Sequence, residues 1–205
     1  MSQVTDALQA DSELPDADPA SSPGHRATEE RILDAALRLI GRRGVKRLGM
    51  QEISEAAGVS RGTLYRYFPS KDHVLAAAAA HDEQRFTDGL DKVLAPLLGP
   101  NERIGAFLDY AFDYIQTHPA RSLFESEPEF VMSYLLDHLP KLRTSLVTQL
   151  GAELGALPAV ARGDLSRDEL ADVIVRLFAS SWIIPDSDDR TLVQSISTIL
   201  LSAPH

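Results

Sequence analysis

The stretch from Gly49 to His73, GMQEISEAAGVSRGTLYRYFPSKDH, constrains the fold of this chain more than any other. Ile53, Ala56 and Ala57 stand at i, i+3 and i+4, so a helix over roughly 50–57 carries one apolar face that needs a partner. Gly58 falls where a helix takes a left-handed residue past its end. Val59 follows as an apolar plug, and the Ser60 hydroxyl can cap the next helix. A second helix is expected from Arg61 to about Phe68, ended by Pro69. Two helices separated by so short a turn form a helix-turn-helix.

In that arrangement the first helix braces the DNA backbone and the second lies in the major groove. Arg61, Thr63, Tyr65, Arg66 and Tyr67 give the second helix donors for phosphate oxygens and base edges. Arg61, near its start, is the expected base contact, because a guanidinium bridges guanine O6 and N7. Gln51 is a second expected base contact. Thr63 and Tyr65 should reach a phosphate or a thymine methyl, Tyr67 a phosphate, and Gly62 should let the backbone come close to DNA. Leu64 and Phe68 are expected in the core. Arg42, Arg43, Lys46 and Arg47 cluster just upstream; backbone contact is expected from one or two of them, with Arg47 the choice.

A net charge of −10 opposes DNA binding until it is divided along the chain. Residues 1–24 hold five acids and no base; residues 25–75 hold ten Arg and Lys against six acids, a net of +4; the remainder carries −9. The helix-turn-helix segment is therefore the basic island of an acidic protein, which orients it on a polyanion.

Ile53, Ala57, Gly58, Val59, Ser60, Gly62, Thr63, Leu64, Tyr65, Tyr67, Phe68, Ser70 and Lys71 match in register the pattern I-A-x-x-A-G-V-S-x-G-T-L-Y-x-Y-F-x-S-K. On these residues the segment from Arg26 to His73 resembles the TetR family of bacterial transcriptional regulators. Two positions depart from the pattern: Gly49 replaces the usual Thr or Ser cap, and Ser54 a common Ala. The resemblance implies a homodimeric, sequence-specific DNA-binding regulator. The expected role is that of a repressor released from a palindromic double-stranded DNA operator by a small hydrophobic effector. It also implies that Lys71 grips a phosphate and that the helix after Ser70 links the DNA-reading head to the body.

Elsewhere the pattern is helical. Residues 1–24 read as a disordered acidic tail. A helix from an N-cap at Thr28 to about Arg42 carries Ile32, Leu33, Ala36, Leu39 and Ile40 as an apolar stripe. A fourth runs from Lys71 into the Val93 region. Segments near 101–118, 128–139, 141–157, 168–184 and 188–201 follow, with Pro119, Pro128, Pro140, Pro158 and Pro185 as helix starts or breaks. No strand pattern is present. The expectation is an all-α protein of about nine helices: a three-helix helix-turn-helix domain over 25–73, and a larger helical ligand-binding and dimerisation domain over 74–205.

Without cysteine there is no thiolate metal site, disulfide or cysteine nucleophile. His73, His81, His118 and His138 lack metal-ligand spacing and read as solvated or capping groups, and no phosphate loop, dinucleotide fingerprint or nucleophile elbow occurs, so no enzyme is expected. Glu125, Glu127 and Glu129 around Pro128 read as a solvated helix junction. Phe107, Tyr110, Tyr114, Phe130, Tyr134 and Trp182 are the expected lining of an effector pocket between helices. Leu170, Val173, Ile174, Leu177, Phe178 and Ser181, with Leu192, Val193, Ile196, Ile199 and Leu200, form two stripes expected partly to pair with a second copy. The N-terminal stretch lacks a basic and apolar secretory pattern and no run nears the roughly 20 apolar residues of a membrane span, so a cytoplasmic location is expected. The alternative is a dimeric small-molecule-binding or scaffold protein that keeps the helices without DNA binding.

Overall fold

The computed structural model describes residues 22–184 and 189–201, leaving out the side chains of 189, 190 and 192; the expected acidic tail lies almost wholly outside these residues, as do Pro185 and the side chain of Leu192. Among the described residues there are ten helices and no strand, the all-α architecture expected. Helix α1 (Pro23–Arg43) starts six residues earlier than the Thr28 cap would place it. Ser22 is the cap, its hydroxyl accepting the His25 N–H, and Pro23 occupies the first helical position, where a missing N–H costs nothing. Thr28 instead donates from its hydroxyl to the Gly24 carbonyl at 2.9 Å.

Helices α2 (Met50–Ala57) and α3 (Arg61–Tyr67) stand where the motif puts them. Gly58 is left-handed at φ 64°, ψ 36°, and Ser60 Oγ accepts the Thr63 N–H at 3.0 Å. Gly49 caps α2 without a side chain, while the Glu52 carboxylate reaches back to accept its N–H at 3.2 Å. Ser70 caps α4 (Lys71–Leu94). The body follows as α5 (Pro100–Thr117), α6 (Leu123–Ser126), α7 (Pro128–Ala156), α8 (Pro158–Ala161), α9 (Arg167–Ile183) and α10 (Asp189–Leu201).

Pro140 does not break α7 as expected: the helix continues past it, and the non-helical residue is Leu150, at φ −126°, ψ 19°. A proline ring deprives the carbonyl four residues back, that of Leu136, of its donor. Leu136 is two-thirds exposed, so water can serve that carbonyl, and the packing of α7 against α5 and α9 keeps the rod in place.

Two cores share α4. Its Val74 and Ala78 close the head core of α1, α2 and α3, while Leu90 and Leu94 enter the body core of α5, α7, α9 and α10. The head core runs on into the body through Leu123 of α6 and Val131 and Leu135 of α7. Arg103 locks the far end, pairing with Glu153 at 2.5 Å and donating to the Leu94 carbonyl at 2.7 Å.

Candidate nucleic-acid interface

Helix α3 divides its residues by face. Leu64 is fully buried in the head core, Phe68 beyond its end nearly so, and Arg61, Gly62, Tyr65 and Arg66 are exposed. Positions i, i+1, i+4 and i+5 share one side of a helix, so the structure gathers the expected base-reading Arg61, Gly62 and Tyr65 into a single outward surface. A Cβ at Gly62 would meet nothing closer than Ser60 Oγ at 3.9 Å. Nothing within the protein demands glycine there, which fits close approach by an external backbone.

The other expected DNA residues are partly engaged within the protein. Thr63 Oγ1 lies 2.9 Å from Ser60 Oγ and shares in the cap. The Tyr67 ring stacks on His25 at 4.2 Å, so the extra turn of α1 supports the end of the reading helix. Gln51 is exposed at the start of α2, its amide donating to Glu55 at 3.0 Å. Arg47 is exposed and donates from Nε to the Arg43 carbonyl, and Arg43 pairs with Glu52. Lys71 Nζ donates to the Val45 carbonyl at 2.5 Å, which holds its ammonium against the loop between α1 and α2. Arg47 and Lys71 thus converge on that loop.

In the body, four of the six expected effector residues lie inside or between helices. Phe107 is buried edge-on to Phe178, with centroids 6.0 Å apart, and Tyr110 donates to the Phe86 carbonyl at 3.1 Å. Tyr114 donates to the Asp82 carboxylate at 2.7 Å, and the Trp182 ring meets His118 edge-on at 5.0 Å. Phe130 and Tyr134 are each more than a third exposed, and Tyr134 stacks on His138 instead of on the other four. Trp182 also lines a cleft of about 340 Å³ with His118, Pro119, Arg121, Ser122, Phe124 and Glu125.

His118 caps the C-terminal end of α5, one of its two expected roles, but its side chain is 7% exposed and so is not solvated. Its Nδ1 accepts the Ala120 N–H at 3.1 Å, which leaves the Nε2 proton to be donated to Asp82 at 2.9 Å. Burial pushes the Asp82 carboxyl up, but the hydrogen bonds from His118 and Tyr114 and the charge of Arg85 outweigh it and hold the group below its ordinary value. Burial and the same hydrogen bond push the Tyr114 hydroxyl far up, so it remains a donor. On either side of Asp82 in α4, His81 and Arg85 both reach Asp34 of α1. Glu127 is the other correction: Glu125 and Glu129 are exposed, but Glu127 is 6% exposed, and its Oε1 accepts the Lys46 N–H of the α1–α2 loop at 2.9 Å. No local pattern marks Glu127, because its partner is 81 residues away.

Residues 32–78 match the family model described as bacterial regulatory proteins, tetR family. The HTH-type transcriptional repressor KstR of Rhodococcus jostii (strain RHA1) is 31% identical over 166 residues, covering 81% of this chain and 74% of that protein. A putative TetR-family transcriptional regulator from Rhodococcus sp. shares the fold at a TM-score of 0.65 and 20% identity, over 86% of this chain and 100% of that one. The transcriptional regulator FadR from Bacillus subtilis, solved in complex with stearoyl-CoA, does so at 0.59 and 18%, over 86% and 99%. The relatives are transcriptional regulators and not enzymes.

Proposed function

Since the chain belongs to the tetR family of bacterial regulatory proteins, we propose that it is a homodimeric repressor, held on a palindromic operator and released by a small hydrophobic effector. The observation that carries the DNA half is the outward face of α3, where Arg61, Gly62 and Tyr65 stand exposed while Leu64 anchors the helix from behind. In this reading Arg61 and Gln51 contact base edges, while Thr63, Tyr65, Tyr67, Arg47 and Lys71 position the backbone. Residues 25–73 form the reading head and 74–205 the effector and dimerisation body, with α4 passing between their cores.

Apolar side chains left outside the monomer support the dimer. Leu170 and Ile174 of α9 and Val193 and Ile196 of α10 face the body core, whereas Val173 is 46% and Ile199 76% exposed. A twofold copy would cover such groups and would match a two-half-site operator. The effector class follows from the aromatic interior around Phe107, Tyr110, Tyr114 and Trp182 and from the stearoyl-CoA bound by the FadR relative. Within the helical bundle such a molecule would act on α4, whose displacement alters the spacing of the two heads. No described helix is long and apolar enough to cross a membrane.

A mobility-shift assay with DNA from upstream of the chain's own gene tests this reading. Specific retardation that weakens steeply with salt is expected. Retardation no stronger than on scrambled DNA of equal length would instead favour a helical binding protein without a DNA role.

A further inference from the structure

Glu127 joins the body to the head through one buried contact. It occupies the junction between α6 and α7, is 6% exposed, and accepts the Lys46 N–H through Oε1 at 2.9 Å. Its Oε2 is buried and has no hydrogen-bond partner among the described residues. The α1–α2 loop is shaped around it. Gly44 has φ +81°, and a Cβ there would lie 2.1 Å from Glu127 Oε1, so both the backbone conformation and the space require glycine.

The loop that Glu127 holds is also held from the head. Lys71 Nζ donates to the carbonyl of Val45, the residue before Lys46, and Arg43 at the end of α1 pairs with Glu52 of α2. Residues 43–47 are therefore where α1, α2, the start of α4 and the body meet. A carboxylate removed from water persists only with strong partners, and a single backbone N–H is a spare set.

We propose that Glu127 is the positioning residue that fixes the head against the body for operator binding. Seated, it holds the α1–α2 loop, and with it α2 and α3, at one angle to the body; a shift of the α6–α7 junction that withdraws it loosens that loop while the other head-to-body contacts remain. The residue touches no DNA in this scheme. The inference rests on the regulator reading above, so its test separates the two.

The experiment compares full-length wild type with Glu127→Ala, Glu127→Gln, Lys46→Pro and Lys46→Ala by fluorescence anisotropy on DNA from upstream of the chain's own gene. Lys46 is the second residue of the turn closed by Leu48 N–H on the Val45 carbonyl, a position that accepts proline, so Lys46→Pro keeps the turn while replacing the donor with a ring Cδ aimed at Glu127 Oε1, which unseats the carboxylate. Lys46→Ala keeps the donor and corrects for the lost ammonium. Glu127→Ala should weaken binding about tenfold, the scale of one buried charge-assisted hydrogen bond. Its salt dependence should stay parallel to wild type, because no phosphate contact is lost. Glu127→Gln, which keeps an acceptor, should recover most of the affinity. Lys46→Pro should match Glu127→Ala once corrected by Lys46→Ala, and the double variant should lose little more. Hydrogen exchange at the Lys46 amide should quicken in Glu127→Ala. Wild-type affinity in both Glu127→Ala and Lys46→Pro, or fully additive losses, would overturn the positioning role alone; a wild-type chain that fails to bind the fragment specifically would overturn it together with the regulator reading. If Glu127→Ala does not fold, Glu127→Gln and Lys46→Pro carry the same decision.

Discussion

Gly41 of α1 lies under the Pro119 carbonyl so closely that a Cβ on it would sit 1.7 Å from that oxygen. The turn after α5 thereby rests directly on the helix backbone of the head, and Ser122 adds a hydroxyl donated to the Gly41 carbonyl at 3.1 Å. An ordinary helix-interior glycine gains about 1 kcal/mol when replaced by alanine. Here the sign should reverse. Gly41→Ala is expected to cost about 1–3 kcal/mol, because backbone must move away from backbone. Chemical denaturation checks it, and a midpoint raised above wild type would show that the contact yields.

The Asp82 carboxyl, joined to His118 and Tyr114, gives the body an acid limit. Its value is depressed in the folded chain, so its contribution to stability is fully present above the unfolded value near 4 and is lost as pH falls through the folded one. Thermal melts from pH 6 to 3 should show a fall that Asp82→Asn flattens. An identical acid profile in wild type and Asp82→Asn would contradict the assignment. Tyr114→Phe, which removes one donor from the same carboxylate, should cost about 1 kcal/mol.

Arg61 and Lys71 should fail in different ways. Arg61→Ala is expected to cost about 1–3 kcal/mol and to relax preference at one base pair. Lys71→Ala should weaken all sequences alike. If its ammonium leaves the Val45 carbonyl for a phosphate in the complex, the salt slope also falls by about one contact. Binding titrations at several salt concentrations, on DNA varied one base pair at a time, read both effects. Unchanged selectivity in Arg61→Ala would remove it from the base-reading set.

The exposed Val173 and Ile199 predict where the dimer comes apart. Val173→Glu with Ile199→Glu places carboxylates on the face proposed to meet the second copy, and sedimentation should then show a monomer near 22.4 kDa where wild type is a dimer. The same variant should bind its operator more weakly, having only one head to offer. A double variant that sediments as wild type does would move the interface elsewhere.

The head was legible in the sequence because its determinants are local. Gly58, Ser60 and Ser70 each act on residues within a turn, and each occupies its expected place. The start of α1 escapes the sequence although Ser22-Pro23 carries the same capping chemistry, because Thr28, followed by Glu29 and Glu30 where first-turn carboxylates favour the helix dipole, offers a competing signal. In the body the pattern marks helices without saying which face turns inward. Phe107 and Phe130 are equally apolar in sequence, yet one is buried and the other 36% exposed. Pro140 differs for a related reason: helix breaking is a local tendency, and the stretch around it is anchored on either side by Leu135 in one core and Leu146 in the other. The head-to-body contacts of Gly41, Glu127 and Asp34 were beyond reach, since each joins residues dozens of positions apart.

The most direct test of a dimeric reader built on α3 is a footprint of the full-length chain on DNA from upstream of its own gene. Two α3 helices related by a twofold axis should protect two inverted half-sites whose centres lie one helical turn, roughly 34–36 Å, or a multiple of it apart. Protection should weaken in both halves together, and need a higher protein concentration, when Arg61 is replaced by alanine. A single unpaired protected segment, or protection that follows no sequence, would contradict it.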